Sequence, residues 1–329
     1  MSIQPFFNCI FALNFMQTGR VIKSTGKWYN VLLKDGTIVS CRIRGKIRLD
    51  GAKTTNPIAV GDEVELELLE KEEGGIIHSI HPRKNYLARK SVNLSKRSHI
   101  LAANIDRAYL LVTLVAPVTH LAFIDRFLVA AESFRIPVTL LFNKMDLYFE
   151  EHLPLVDEIA AIYKDIGYPC YKISALNNDN IEFLRKEING NQVMISGHSG
   201  TGKSTLINAL DSDLTIKTSE ISSHHLQGQH TTTFAEMHPL QSGGFIIDTP
   251  GIKAFGIIDL DKEVISHYLP EMRELLNQCR FHNCLHLNEP NCAVKEAVEN
   301  GKIASSRYST YLDLIQEDEK ENYRKDIFG

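Results

Sequence analysis

Eight residues past the middle of the chain, Gly197-His198-Ser199-Gly200-Thr201-Gly202-Lys203-Ser204, constrain its fold more than any other feature. They complete the pattern G-x-x-x-x-G-K-S, with the apolar run Gln192–Ser196 before them and a helical pattern over Thr205–Leu210 after them. Strand, glycine-rich turn and helix in that order make an anion cradle. Glycines let backbone N–H groups close around phosphates at a helix N-terminus, where the helix dipole favours negative charge. Gly197, Ser199, Gly200, Thr201, Gly202, Ser204 and Thr205 are therefore expected to line the phosphates of a nucleotide. Lys203 is expected to neutralise β- and γ-phosphate charge, and the Ser204 hydroxyl to ligate Mg2+. A strand of this kind belongs to a mostly parallel sheet with helices on both faces.

The required alternation of strands and helices runs ahead of the cradle. Strand patterns over Arg107–Val115, Ile136–Phe142 and Pro169–Ser174 are interleaved with helical patterns over Leu121–Phe134, Leu155–Ile166 and Ile181–Ile188. Asn143-Lys144-Met145-Asp146 follows the second strand at its carboxyl end, where α/β sheets bind ligands, and fits N-K-x-D. An Asp146 carboxylate can accept from guanine N1–H and the exocyclic amine, a donor pair that adenine lacks, so the pattern selects GTP over ATP. Asn143 and Lys144 are expected to fix the loop and cover the base. Ser174-Ala175-Leu176, after the next strand, resembles the S-A-x element whose backbone N–H meets guanine O6.

Two further elements follow the cradle. Asp248-Thr249-Pro250-Gly251 fits D-x-x-G, with Asp248 expected to hold Mg2+ through water and the Gly251 amide to meet the γ-phosphate. Gly228-Gln229-His230-Thr231-Thr232-Thr233 lies where a switch threonine should close over the metal, with Thr232 the first choice and Thr231 the second. In ordinary GTPases the phosphate cradle comes first and N-K-x-D late; here N-K-x-D leads at 143 and the cradle follows at 197. A site assembled in space from strand ends survives such a rearrangement, so the order describes a circularly permuted GTPase. An ATP-dependent P-loop enzyme is the competing reading, and Asn143 to Asp146 argue against it.

At 329 residues the chain has room for two or three domains at about 150 residues each. Its 43 % hydrophobic and 23 % charged content excludes a disordered class, and no apolar run reaches the roughly 18 residues of a membrane span, so no membrane partner is expected. A formal net charge of −4 confines any nucleic-acid contact to local basic patches. Residues 1–15 read as a non-targeting extension, or as a start-site artefact ahead of a true start at Met16, which opens the first patterned domain. Residues 16–84 carry five short β-branched runs (Gly19–Ile22, Trp28–Leu33, Thr37–Ile43, Glu63–Leu69, Gly75–Ile80) and read as an OB-fold barrel. Arg42, Arg44, Lys46, Arg48 and Lys53 are its candidate RNA contacts. A second basic stretch, residues 83–97, reads as a linker at the entrance of a GTPase domain spanning 85–260.

The remaining segment, 261–329, carries Cys279-x4-Cys284-x-His286-x5-Cys292. Three thiols and an imidazole at that spacing suit a closed tetrahedral structural Zn2+ site that pins a small, largely α-helical module. With six cysteines in so long a chain, and three of them clustered with a histidine, a reducing cytoplasmic setting is expected. Arg273, Arg280, Lys295, Lys302 and Arg307 around the cluster are further candidate RNA contacts.

Barrel, permuted GTPase and C-x4-C-x-H-x5-C module together resemble the ribosome small-subunit-dependent GTPase A (RsgA, or YjeQ) family over residues 16 to about 315. The resemblance implies a monomer that binds the small ribosomal subunit and its 16S rRNA, with GTP hydrolysis stimulated by that subunit during its late maturation. It also implies that His230, with Thr232 and Lys203, serves catalysis by activating water. The family's switch reads G-R-H-T-T-T, and here Gln229 stands in place of the Arg; Ile252, not Gln, follows D-x-x-G. A GTP-gated RNA-binding module with incidental hydrolysis is the alternative.

Overall fold

The computed structural model describes residues 16–44, 57–69, 74–90, 98–212, 214, 235–248 and 260–328, with the backbone alone at residues 89, 90, 98, 99, 248 and 318–328. Strands β1 (Gln17–Ser24), β2 (Tyr29–Leu33), β3 (Ile38–Ile43), β4 (Glu63–Leu68) and β5 (Gly75–Ile80) run in the order β1-β2-β3-β5-β4, and β4 returns to β1. The result is a closed five-stranded barrel in which only β3 and β5 run parallel. Alternation fixes its register: Tyr29, Val31 and Leu33 of β2 meet Val21, Val64, Leu66 and Ile77 in the barrel core.

The next segment departs from the linker expected over 83–97. Strands β6 (Tyr86–Lys90) and β7 (Ser98–Ala103) form an antiparallel hairpin. Nor is Arg83 an unpaired cation of that stretch. Its Nε donates to Asp62 Oδ1 at 2.6 Å, its NH2 group donates to Asp62 Oδ2 and the Pro57 carbonyl, and the Asp62 partner is fully buried. Lys84 pairs with Asp106. Short-range pattern missed these contacts because both acids come from other strands or their ends.

Beyond the hairpin, strands and helices alternate as β8 (Arg107–Val112), α1 (Leu121–Ser133), β9 (Val138–Phe142), α2 (Leu153–Asp165), β10 (Cys170–Lys172), α3 (Ile181–Ile188), β11 (Gln192–Gly197), α4 (Lys203–Leu210), β12 (Glu236–Pro239) and β13 (Phe245–Asp248). The strand order is β10-β9-β8-β11-β13-β12, parallel throughout except for β12. Period-two alternation divides each buried strand between two helical layers. Ala108, Leu110 and Val112 pack with Phe127, Leu128 and Val156 on one face, whereas Tyr109 and Leu111 pack with Leu184, Leu206 and Ile207 on the other.

Barrel and α/β sheet are one continuous sheet. Lys23 of β1 pairs antiparallel with Glu236 of β12, their side chains form an ion pair at 3.2 Å, and Ile22 enters the α/β core. The Arg20 guanidinium lies 4.9 Å from the centre of the Phe245 ring.

The C-terminal module comprises α5 (Lys262–Ile265), α6 (Pro270–Arg273), α7 (Ala293–Glu299) and α8 (Ser305–Phe328). Its apolar core, including Ile265, Met272, Val294, Tyr311 and Leu314, extends to Val129 of α1. A buried ionic knot joins the two. Arg307, 1 % exposed, donates from NH1 to Asp125 Oδ1 at 3.0 Å and from Nε to Glu271 Oε1 at 2.7 Å. Thr310 and Tyr163 hydroxyls also donate to the Asp125 carboxylate, each at 2.8 Å. Arg307 is therefore not an RNA contact, and Arg273 pairs with Glu132 of α1. Arg280, Lys295 and Lys302 carry no ion pair among the described residues. No helix among the described residues is long and apolar enough to cross a membrane.

Removing one member of a buried pair strands the other charge, which costs about 3–5 kcal/mol, whereas an exposed pair contributes about 0–1 kcal/mol. Asp125→Ala is expected to lower the denaturation midpoint sharply. Glu317→Ala, which breaks the solvent-facing Arg126–Glu317 pair, should leave it nearly unmoved. Urea unfolding of the two variants side by side checks the contrast.

Candidate nucleotide site and metal cluster

Three motifs far apart in sequence meet at the Asn143 side chain. Asn143, 1 % exposed at the end of β9, donates from Nδ2 to the Thr201 carbonyl at 2.8 Å, and its Oδ1 accepts from the Ala175 N–H at 3.0 Å. One amide thus ties the N-K-x-D loop to the glycine-rich loop and to the Ser174-Ala175 loop. Each bond satisfies a buried backbone group that has few other routes to a partner. The Ser174 hydroxyl, itself buried, donates to Asp146 Oδ1 and accepts from the Asn177 N–H, so the Asp146 carboxylate is aimed beside the Ala175 amide. Asp146 keeps an exposed face.

Parallel strands bring these loops to one edge. β9 and β11 flank β8, and β13 lies on the other side of β11, so the carboxyl ends carrying Asn143, Gly197 and Asp248 are neighbours. After β11 the chain turns through Gly197, Gly200 and Gly202, all at positive φ, into α4. A Cβ on Gly202 would collide with the Asn143 amide, so the close approach that makes the Asn143 bonds also demands glycine there. Thr201 is fully buried, with its hydroxyl donating to the His198 carbonyl at 2.9 Å. Ser204 and Thr205 occupy the first turn of α4, where backbone N–H groups have no carbonyl partner within the helix. Lys203 donates from Nζ to the carbonyls of Gly197 and His198 at 2.8 and 2.6 Å, across the mouth of the turn. Ser199 is exposed at the tip.

The Lys144 backbone is left-handed (φ 65°), and its ammonium donates to the Ala116 carbonyl at 2.6 Å. Its stem therefore runs beside Gly202. Three contacts were not legible from motifs. Tyr148 Oη accepts from the Leu114 N–H at 2.6 Å, Pro117 abuts Gly200, and the His198 ring packs tilted against Phe123 at 3.6 Å between centroids. Burial lowers the His198 pKa, helped by Lys203 and His120, so this histidine stays neutral near physiological pH. His230, Thr231, Thr232 and Gly251 lie outside the described residues, as do Gln229 and Ile252; at Asp248 the backbone position alone is described.

In the C-terminal module the candidate ligand atoms of Cys279, Cys284, His286 and Cys292 all lie within 4.8 Å of one another. His286 Nδ1 is 3.3 Å from Cys292 Sγ and 3.7 Å from Cys279 Sγ, and those two sulfurs are 4.0 Å apart. The edge of a tetrahedron with metal–sulfur bonds of about 2.3 Å is about 3.8 Å, so the four donors fit one metal ion. His286 reaches inward because its backbone takes φ 58°, and Glu289 braces the loop by accepting from the Leu285 and Leu287 N–H groups at 2.8 Å.

Asn143→Ala is expected to leave the Thr201 carbonyl and the Ala175 N–H buried without partners, at about 1–3 kcal/mol each. Asn143→Asp should not rescue it, since it keeps the acceptor for Ala175 but turns a carboxylate oxygen on the Thr201 carbonyl. Denaturant midpoints of the two variants test this, and an Asp variant as stable as the parent would refute it.

Comparison with known proteins agrees with this geometry. The RsgA GTPase family model matches residues 80–258, and the RsgA N-terminal domain model matches residues 18–77. The chain is 55 % identical over 312 residues to a Christiangramia forsetii protein named small ribosomal subunit biogenesis GTPase RsgA, covering 94 % of this chain and 99 % of that one. A Bacteroides fragilis protein of the same name is 51 % identical over 306 residues, covering 93 % and 98 %. Among solved structures, YjeQ from Thermotoga maritima superposes with a TM-score of 0.74 at 36 % identity, covering 92 % of this chain and 98 % of that one. YloQ, described as a circularly permuted GTPase, gives 0.73 at 27 % identity, covering 94 % and 98 %. With a permuted motif order and matches over nearly its whole length, the chain belongs to the RsgA GTPase family.

Proposed function

We propose that this protein binds the small ribosomal subunit and hydrolyses GTP in a subunit-stimulated manner during late maturation of that subunit, in the cytoplasm and as a monomer. The observation that carries the nucleotide part is the Asn143 knot, which holds a guanine-selective carboxylate, a backbone donor and a phosphate cradle around one space. The ribosomal part is supported by the names of the relatives, small ribosomal subunit biogenesis GTPases. In this reading residues 16–84 form an RNA-facing barrel, 85–260 the GTPase, 261–329 the metal-pinned module and 1–15 an extension.

The residues take the following roles. Asp146 and the Ala175 N–H read the guanine edge, Lys144 covers the base, and the amides from Gly197 to Thr205 wrap the phosphates. Lys203 swings from the Gly197 and His198 carbonyls to the β- and γ-phosphates. The Ser204 hydroxyl and the Asp248 carboxylate are hard oxygen donors at one sheet edge, and they fit Mg2+, which supplies charge neutralisation when bound with GTP. Thr232, with Thr231 beside it, closes over the γ-phosphate and the Gly251 amide contacts it. His230 orients the attacking water, a role left open by Ile252 at the position where many GTPases carry glutamine. Docking on the subunit and 16S rRNA completes this arrangement, and GDP formation loosens it.

The metal of the C-terminal cluster is assigned as zinc, since three thiolates and an imidazole in tetrahedral array suit that ion. Metal analysis of the purified protein is expected to give one zinc per chain. Removal by a chelator should lower the thermal midpoint, and zinc readdition should restore it; full stability after complete removal would overturn the structural assignment.

GTP turnover measured alone and with purified small subunits, with ATP as control nucleotide, tests the reading. Strong stimulation for GTP only is expected, lost in His230→Ala while GTP binding persists. Equal slow turnover with and without subunits would favour a GTP-gated RNA-binding module.

A further inference from the structure

The connection from β8 to α1 reaches both halves of the nucleotide site. It leaves β8 at the fully buried Thr113 and ends at Thr119, also buried, just ahead of α1. Those two threonines close it. Thr113 N–H donates to Thr119 Oγ1 at 3.1 Å, Thr119 N–H donates to the Thr113 carbonyl at 2.7 Å, and the Thr113 hydroxyl donates to the Pro117 carbonyl at 2.5 Å. Without the Thr119 hydroxyl, the Thr113 N–H would lose its acceptor in a buried setting.

The span between them makes three contacts outward. The Ala116 carbonyl accepts from Lys144 Nζ at 2.6 Å, and Leu114 N–H donates to Tyr148 Oη at 2.6 Å, so residues on both sides of Asp146 are fastened to one loop. Pro117 Cδ stands 3.4 Å from the place a Cβ on Gly200 would take, in ordinary contact with the phosphate cradle. A loop that only joined strand to helix would require none of these contacts. The carbonyl anchor orients the Lys144 ammonium without cancelling its charge, as a carboxylate would. A lysine stem is flexible, and fixing it by contacts within the protein moves that entropic cost from binding to folding.

We infer that Thr119 is a positioning residue for guanine nucleotide binding: its bond to Thr113 sets the loop that holds Lys144 over the base, and so slows nucleotide release. The inference rests on the base-covering role proposed for Lys144. The line of contact runs from Thr119 Oγ1 to the Thr113 backbone, along the loop to the Ala116 carbonyl, and from there to the Lys144 ammonium. Tyr148 braces the same loop at Leu114. Asp146 is aimed separately, by the Ser174 hydroxyl, so the guanine edge is read whether or not the loop is set. Loss of the Thr113–Thr119 bond therefore weakens the hold on guanine and hypoxanthine nucleotides by the same factor and leaves the preference between them unchanged.

Stopped-flow release of the fluorescent analogue mant-GDP from the full chain tests the assignment. Thr119→Val is expected to speed release about tenfold, the scale of one cationic side chain lost from a ring face. Thr119→Ser keeps the acceptor and should stay within about twofold of the parent. Single-turnover GTP cleavage in Thr119→Val should also stay within about twofold, since the loop acts on binding and not on the reacting phosphate. The GDP-to-IDP affinity ratio should match the parent's. Lys144→Ala supplies the decisive background: alone it speeds release, and adding Thr119→Val should then change the rate less than about twofold, whereas a merely structural threonine would act equally in both backgrounds. Thermal midpoints report folding, and if Thr119→Val does not fold, Tyr148→Phe, expected to speed release about threefold by removing the Leu114 acceptor, carries the same comparison. Release from the folded variant within about twofold of the parent, or equal acceleration with and without Lys144, would overturn the inference and leave the cover role standing. Release from Lys144→Ala at the parent's rate would overturn both.

Discussion

A single carboxamide carries the organisation of the nucleotide site. Asn143 is the one side chain described here that bonds to both the Thr201 carbonyl and the Ala175 N–H, and so it fixes the spacing between base-reading and phosphate-binding loops. In a buried setting such bonds are electrostatically strong and costly to leave unmade. Neither aspartate nor glutamine would serve, the first for lack of a donor and the second for its length. The glycine at 202 follows from the same contact, because only a residue without a Cβ leaves room for the amide. Two motif positions that look independent in sequence are therefore one steric and hydrogen-bonding solution.

The same knot explains why chain order is free. Thr201 lies 58 residues after Asn143, and Ala175 lies 32 after it, yet the contacts require only that the carboxyl ends of β9, β10 and β11 share an edge. Parallel pairing meets that requirement whichever strand is made first. What permutation does change is the neighbourhood of the ends. β12, last in the sheet order, is left to pair with β1 of the barrel, and Ile22 fills space at that seam.

Strands and helices were legible where hydrophobic period and turn residues agreed, as in β1 to β5 and in every helix of the α/β sheet. Loop positions of the nucleotide motifs were legible because glycine and ligand chemistry restrict them. The β6–β7 hairpin was not, since the cations Arg89, Lys90, Lys96 and Arg97 obscure in sequence the short apolar runs Leu87–Ala88 and Ile100–Leu101. Arg83 and Arg307 read as surface cations because a sequence window sees their charge and not the distant acids, Asp62 and Asp125, that neutralise it. A signal did exist for the second pair. Asp125 falls four residues after Leu121 and three before Leu128, on the apolar stripe of α1, and Arg307 falls on the stripe of α8 shared by Tyr311 and Leu314. A charge on a buried stripe asks for a partner, and here the partners are each other.

That pairing bears on how the chain is made. Asp125 leaves the ribosome 182 residues before Arg307, its ion-pair partner. At about 5–20 residues per second, the acid waits on the order of ten seconds or longer with the Tyr163 hydroxyl, from α2, as its earlier partner among the described residues. During that interval α1 carries an uncompensated carboxylate on the face that the C-terminal module will cover, which keeps that face hydrated and discourages it from closing on a wrong apolar partner. Synthesis of α8 then ends the wait, so completion of the α/β domain is timed by the emergence of α8.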